Sequence, residues 1–397
     1  MKLRINWELK NTIVVFIVLL ISMQLEVYRL LLFAAIMIVM GFSNFIKTSH
    51  KRSRKMITLQ VLCGVGVFLL LLFMTIQIFV LKLNFRESIL DIGVLTCVYI
   101  GIICGAISIK PYISLESYLR GILLFLYIFS TYYIIDIIIN GLPEGRDSAL
   151  GNVSSNFCSA VLYLNFPIIL YYLFSNNKNK YIKNKKKNLR KACYAALLLS
   201  LIVIVSSGSR AAIAVVALMF AQMVLYKENK FKTKLKYFFV ILIGLIILVM
   251  VSINNQSINK LMTRALGAFD GINSLTKNSR ILVWNSGFEQ FGNGNRIFGL
   301  GTNIVEKFDR AAHNLFFEVL LCSGYAGLTL FIIINTIILC FIWKKQKYEQ
   351  RFFTFMLLIS TGIVAFVHPF FSTSYTCGLI FWMSLFMLTN DSGNKIL

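Results

Sequence analysis

Acidic residues are scarce in this chain: its 397 residues include 16 Asp and Glu against 40 Lys and Arg. Charged residues of either sign make up 14% of the sequence and apolar ones 58%, whereas soluble domains carry about 25% and about 45–50%. At a mean hydropathy of +0.76, too few polar side chains remain to build a water-facing surface. Four prolines and 24 glycines exclude collagen-like, disordered and Pro-rich linker classes. No two cysteines form a C-x-x-C pair, and none of the three histidines stands at metal-ligand spacing from one. P-loop, dinucleotide-binding and Ser-His-Asp signatures are missing as well. Cys63, Cys97, Cys104, Cys158, Cys193, Cys322, Cys340 and Cys377 all fall in apolar segments and read as small packing residues. What remains is an all-α, polytopic integral membrane protein, a single transmembrane helical domain over residues 1–397.

Polar clusters cut the apolar sequence into twelve candidate spans, near 11–25, 30–46, 56–81, 89–109, 118–139, 157–174, 192–206, 211–226, 237–253, 314–343, 352–367 and 374–390. The first lacks a small-residue cleavage site and reads as a retained span. In a soluble chain the net charge of +24 would suggest nucleic acid, but here the basic residues sit in short runs between spans. With the N-terminus inside, inner segments carry 28 Lys and Arg and the short outer ones 5. The positive-inside rule therefore places both termini in the cytosol. The runs 178–191 and 227–236 are dense enough to attract anionic lipid headgroups, and the Asn- and Lys-rich stretch from Ser175 to Lys187 reads as disordered. Residues 254–313 form the one long extramembrane stretch and lie on the outer face, so function is expected there and at the adjoining span ends.

Three features stand out. The first is Ser206-Ser207-Gly208-Ser209-Arg210, at the turn of a hairpin between two basic inner loops. Cut at polar clusters, its arms reach only about 22–24 Å at 1.5 Å per residue, short of the ~30 Å hydrocarbon core. Arg210 is then either a snorkelling arginine that ends a span, or an anion site in a recess, where a guanidinium binds phosphate oxygens in pairs. The second is Ser279-Arg280, followed by a stripe of Ile281, Trp284, Phe288 and Phe291 at helical spacing. This predicts a short interfacial helix capped by Ser279, with Arg280 in the first turn and Trp284 on the same face. An interfacial anchor with an incidental arginine fits the same residues. The third is His313-Asn314, with Glu318 in the first turns of the span it opens. Histidine titrates near neutrality and can take a proton from a hydroxyl, although a lone histidine at a helix start is more often structural. His368, before Pro369, is a weaker candidate, and His50 lies in an inner basic loop.

Taken in order, S-G-S-R between two spans, S-R-x-x-x-W leading to F-G-x-G, and A-H-N-x-x-x-E followed by Gly324 resemble the O-antigen ligase and polymerase superfamily, including Wzy-type polysaccharide polymerases. The resemblance covers residues 206–327. It departs where the family often has Asn-Pro before its Gly-x-Gly and this chain has Asn295-Arg296. The resemblance implies a metal-independent glycosyltransferase that needs no cofactor and works at the outer face of the cytoplasmic membrane. Its donor would be an oligosaccharide on undecaprenyl pyrophosphate, transferred with inversion to a glycan acceptor. Arg210 and Arg280 would then hold the pyrophosphate and His313 would activate or position the acceptor hydroxyl, supported by Trp284, Asn314 and Glu318. Partners would be lipid-linked glycans, the bilayer and a chain-length regulator, with no nucleic acid. A polymerase of lipid-linked repeat units for O-antigen or capsule is the expected activity. The alternatives are a ligase-type transferase to another acceptor, or a flippase or transporter of the same lipid-linked glycan.

Overall fold

The computed structural model describes residues 7–23, 54–83, 113–140, 147–148, 151–175, 187–207, 209–226, 279–301, 314–367 and 375–389. The first elements are helices α1 (Trp7–Met23), α2 (Arg54–Leu81) and α3 (Leu115–Asn140), followed by strands β1 (Asp147–Ser148) and β2 (Gly151–Ser154). Then come α4 (Ser155–Tyr163), α5 (Phe166–Ser175), α6 (Lys187–Ser206), α7 (Arg210–Leu225), α8 (Ser279–Asn293), α9 (Leu315–Lys345), α10 (Tyr348–Val367) and α11 (Tyr375–Leu388). The described residues are helical apart from the antiparallel β1–β2 hairpin, which the sequence pattern does not predict, and short turns. Among the described residues, 61–81, 115–139, 157–174, 187–206 and 315–345 are long and apolar enough to cross a membrane, and shorter apolar helices cover 9–20, 211–225 and 376–388. The expected spans 30–46, 89–109 and 237–253 lie outside the described residues, as do all three histidines, the basic runs 178–186 and 227–236, and most of the long loop 254–313.

Two of the expected spans take a different form. The segment 157–174 is two helices, α4 and α5, because the ladder breaks around Leu164 and Asn165. Buried Asn165 bridges the break: its Nδ2 donates to the Val161 carbonyl (2.7 Å) and its own carbonyl accepts from Ile169 N (3.3 Å). Pro167 falls in the first turn of α5, where a missing N–H leaves no helical bond unmade. The first hairpin arm is also longer than its apolar run. Helix α6 starts at Lys187 and holds 20 residues, about 30 Å at 1.5 Å per residue. Only α7, with 16 residues, keeps the short length on which the recess argument rests.

The chain divides into two compact units. The first comprises residues 1–121, 277–351 and 365–397. Within it α1 packs on α11, and α2 runs against α9. Lipid tails are as apolar as leucine, so such contacts rest on close packing and hydrogen bonds more than on the hydrophobic effect. A Cβ at Gly66 would lie 2.6 Å from Ile334 Cγ2, and one at Gly327 would lie 2.8 Å from Phe73 Cε1, which shows how tightly α2 and α9 pack. Gly121 meets Val15 in the same way at the start of α3, where the Tyr118 hydroxyl also pairs with Ser384 Oγ of α11 (3.1 Å). The second unit comprises residues 122–276 and 352–364. Here α4 packs on α6 and α7, and α5 on α6. The Tyr127 hydroxyl donates to the Ala192 carbonyl (2.7 Å), tying α3 to α6. Tyr226, which ends α7, lies against Phe352, with ring centroids 4.7 Å apart.

Candidate active site

In the second unit, the serines around Arg210 are taken up in shaping the turn. Ser206 and Ser207 end α6 by returning their hydroxyls to its last carbonyls, Ser206 to Ile202 (2.6 Å) and Ser207 to Ile204 (2.7 Å). Ser207 Oγ also meets Ser159 Oγ of α4 at 2.7 Å and accepts from Ser209 N. Ser209 is the N-cap of α7, in extended backbone, and its hydroxyl accepts from Ala212 N. Ser207 and Ser209 are both buried. Arg210 is therefore the first residue of a helix whose start is pinned to α4 and α6.

In the first unit, Ser279 is the first residue of α8 and not its cap, which corrects the expected start by one position. Arg280 is then the second helical residue. The aromatic stripe packs on α9, which makes α8 a packed helix as well as an amphipathic one. Trp284 lies 6.0 Å from the Phe317 ring and Phe288 lies 4.7 Å from it, while Phe291 is buried with Phe317 and Leu321. Gly287 belongs to the same face. A Cβ there would come within 3.0 Å of both Leu321 and Phe317, so a glycine lets α8 settle on α9.

Asn314 is the N-cap of α9, its Oδ1 accepting from Phe317 N at 3.1 Å. It is buried, and its side chain is spent on the helix start. Glu318 is buried in the first turn of α9, where a carboxylate suits the positive end of the helix dipole. His313 directly precedes this cap in sequence and lies outside the described residues.

Between α8 and the body of α9 lies a feature that the motif alone does not reveal. Helix α9 breaks at Gly324, which has φ 67°. The loop Phe298-Gly299-Leu300-Gly301 takes up the backbone groups that the break releases. Leu300 N donates to the Leu321 carbonyl (2.8 Å) and Gly301 N to the Cys322 carbonyl (3.1 Å). In return, Tyr325 N donates to the Arg296 carbonyl (3.0 Å) and Ala326 N to the Ile297 carbonyl (3.1 Å). Gly299 (φ 78°) and Gly324 meet backbone to backbone: a Cβ on either would lie within 2.5 Å of a main-chain atom of the other segment. Asn295 shapes the turn by accepting from Ile297 N and Phe298 N. Arg296 Nε and Nη2 donate to the Gly292 carbonyl near the end of α8, a favourable place for a cation. Arg296 therefore closes the helix that precedes it, and the turn forms without the family's proline.

Each candidate cation or base thus stands at the beginning of a helix: Arg210 first in α7, Arg280 second in α8, and His313 one residue ahead of the α9 cap. First-turn N–H groups carry partial positive charge, so an arginine there is unfavourable by about 0.3–1 kcal/mol unless an anion shares the site. Arg210 belongs to the second unit and Arg280 to the first.

The sequence model of the O-antigen ligase family matches residues 195–332. This stretch is O-antigen-ligase-like. It covers about a third of the chain and contains all three candidate residues, which bears out the superfamily resemblance drawn from the motifs. A comparison with curated proteins gives no match. The matched segment runs from α6 through α7 and α8 into α9, and so takes in the loop that closes on Gly324. It supports a membrane-embedded protein of polysaccharide biosynthesis with glycosyltransferase-type activity. Gln77 of α2 lies outside the matched segment yet reaches the Phe298 and Cys322 carbonyls. Its sequence signal is a polar residue in the apolar run 61–81, since a transmembrane polar side chain usually bonds across helices.

Proposed function

We propose that the chain polymerises lipid-linked oligosaccharide repeat units into surface polysaccharide at the outer face of the cytoplasmic membrane, by inverting transfer from undecaprenyl pyrophosphate. The observation that carries this reading is that Arg210 and Arg280, the motif arginines of the matched segment, each occupy the first turn of a helix. A guanidinium beside unpaired N–H groups is a costly arrangement in isolation and a favourable one around a diphosphate. In the reaction, His313 accepts the proton of the acceptor hydroxyl, and the oxygen attacks the anomeric carbon of the donor sugar from the face opposite the pyrophosphate. The bond from that carbon to the phosphate oxygen breaks, and its electron pair leaves with the lipid pyrophosphate. Arg210 and Arg280 stabilise the charge developing there, in a low-dielectric interface where such contacts are strongest.

Deleting the gene is expected to leave lipid-linked single repeats on the outer face of the membrane and to abolish long polymer. Single repeats retained only on the inner face would contradict the reading and point to a flippase. Normal polymer that is no longer attached to its final acceptor would point to a ligase.

A further inference from the structure

Gln77 is 1% exposed, in the last turns of the long apolar helix α2. Its side-chain amide nitrogen donates both to the Phe298 carbonyl of the loop and to the Cys322 carbonyl of α9. An amide can be built either way round, but both partners here are carbonyl oxygens, so only the NH₂ group can face them. The Cys322 carbonyl is one of the two released by the break at Gly324, and it also receives Gly301 N. Beside this contact Phe73, one helical turn earlier on α2, stacks on Phe298, with centroids 5.8 Å apart and planes 16° from parallel. Gly301 meets Leu83 beyond the end of α2. Helix α2 thus holds the loop along its length, and Gln77 is the polar fastening.

We propose that Gln77 is a positioning residue for glycosyl transfer: by bridging the Phe298 and Cys322 carbonyls it locks the 298–301 loop into the break of α9 and so fixes α8, which carries Arg280, against the half-helix opened by Asn314. The proposal rests on the reading of the site given above. It does not place Gln77 in contact with substrate. The loop joins the end of α8 to α9 through bonds on both sides of Gly324, so a loop that slips carries the α8 start with it. Displacements of about 1 Å remote from the chemistry can cost about 100-fold in rate.

Gln77→Met keeps the side-chain volume and removes both donors, whereas Gln77→Glu keeps the shape and, when protonated, one donor. Both are compared with wild type as purified full-length protein in lipid nanodiscs, by peptide-resolved hydrogen exchange and by turnover of lipid-linked repeat units. The expected result for Gln77→Met is faster exchange confined to 295–301 and 321–326, with kcat lowered about 10- to 100-fold and KM for the lipid-linked donor within about twofold of wild type. Gln77→Glu is expected between the two in both measurements, and it decides the matter alone if the Met variant fails to accumulate. Wild-type exchange in the variants overturns the fastening. Faster exchange with unchanged kcat overturns the positioning role. If wild type itself elongates no glycan, the proposed function fails, while exchange still judges the fastening independently.

Discussion

At the residue scale, some motif side chains build helix ends, and others are proposed to bind. Ser207, Ser209 and Asn314 belong to motifs that look catalytic, and each is spent on the backbone of a helix end. Ser209→Ala is expected to cost about 1 kcal/mol, the usual value of an N-cap, read as a lower thermal midpoint with activity at low temperature largely kept. Arg210 and Arg280 are expected to behave otherwise. If each grips a diphosphate through paired donors, lysine keeps the charge and loses the fork. Arg210→Lys and Arg280→Lys should each lose about 100- to 1,000-fold in turnover, the cost of about 2.7–4 kcal/mol for a lost transition-state contact, at normal membrane abundance. Snorkelling arginines would tolerate lysine, because they need only a long basic side chain. His313→Ala should abolish transfer without weakening donor binding, and His50→Ala should change nothing. Ser209 and Asn314 could be picked out from sequence because the amides they cap lie three positions further along the chain. Gln77 stands out in the sequence only as a polar residue in an apolar run, and its partners, 221 and 245 positions away, leave its role without a local signal.

At the element scale, the decisive feature is the break in α9 and the loop that fills it. Inside a membrane-length helix, unpaired backbone groups cost several kcal/mol each, so the loop and the break require one another. Gly299→Ala and Gly324→Ala each force a Cβ onto main-chain atoms of the opposite segment at positive φ. Both are expected to lower the thermal midpoint sharply or prevent accumulation. Gly64→Ala and Gly362→Ala meet nothing within 4 Å and should hold or raise it, since alanine favours a helix over glycine by about 0.5–1 kcal/mol. Fluorescence-detected melting of detergent-extracted protein compares the four. Apolar runs located the helices well where burial and hydrophobicity coincide, as in α2, α3 and α9. They failed where a polar residue is helical, as at Lys187 in α6, and where a buried asparagine and a proline divide one apolar run into α4 and α5. Taken alone, Phe298-Gly299-Leu300-Gly301 reads as an ordinary turn, because its purpose lies in the Leu321 and Cys322 carbonyls.

At the scale of the whole molecule, composition alone separates a membrane protein from a soluble one, and the distribution of Lys and Arg gives an expected orientation. The twelve-span topology with both ends cytosolic predicts that a cysteine introduced at Asn259 reacts with a membrane-impermeant thiol reagent in intact cells, whereas one at Asn184 reacts only after permeabilisation. The reverse pattern would invert the chain and put the proposed site on the wrong face. The proposed transfer at the outer face uses no nucleotide sugar, and the long loop holds few acids in its sequence, Asp270, Glu289, Glu306 and Asp309. The most direct test of the central claim is therefore reconstitution. Purified protein in liposomes is supplied with undecaprenyl-pyrophosphate-linked repeat units and excess chelator, and glycan length is followed with time. The account predicts a ladder of products growing by whole repeats, with lipid pyrophosphate released at each step and the anomeric configuration inverted in the new linkage. Repeat units that cross the bilayer without growing, or growth that stops in chelator, would contradict it.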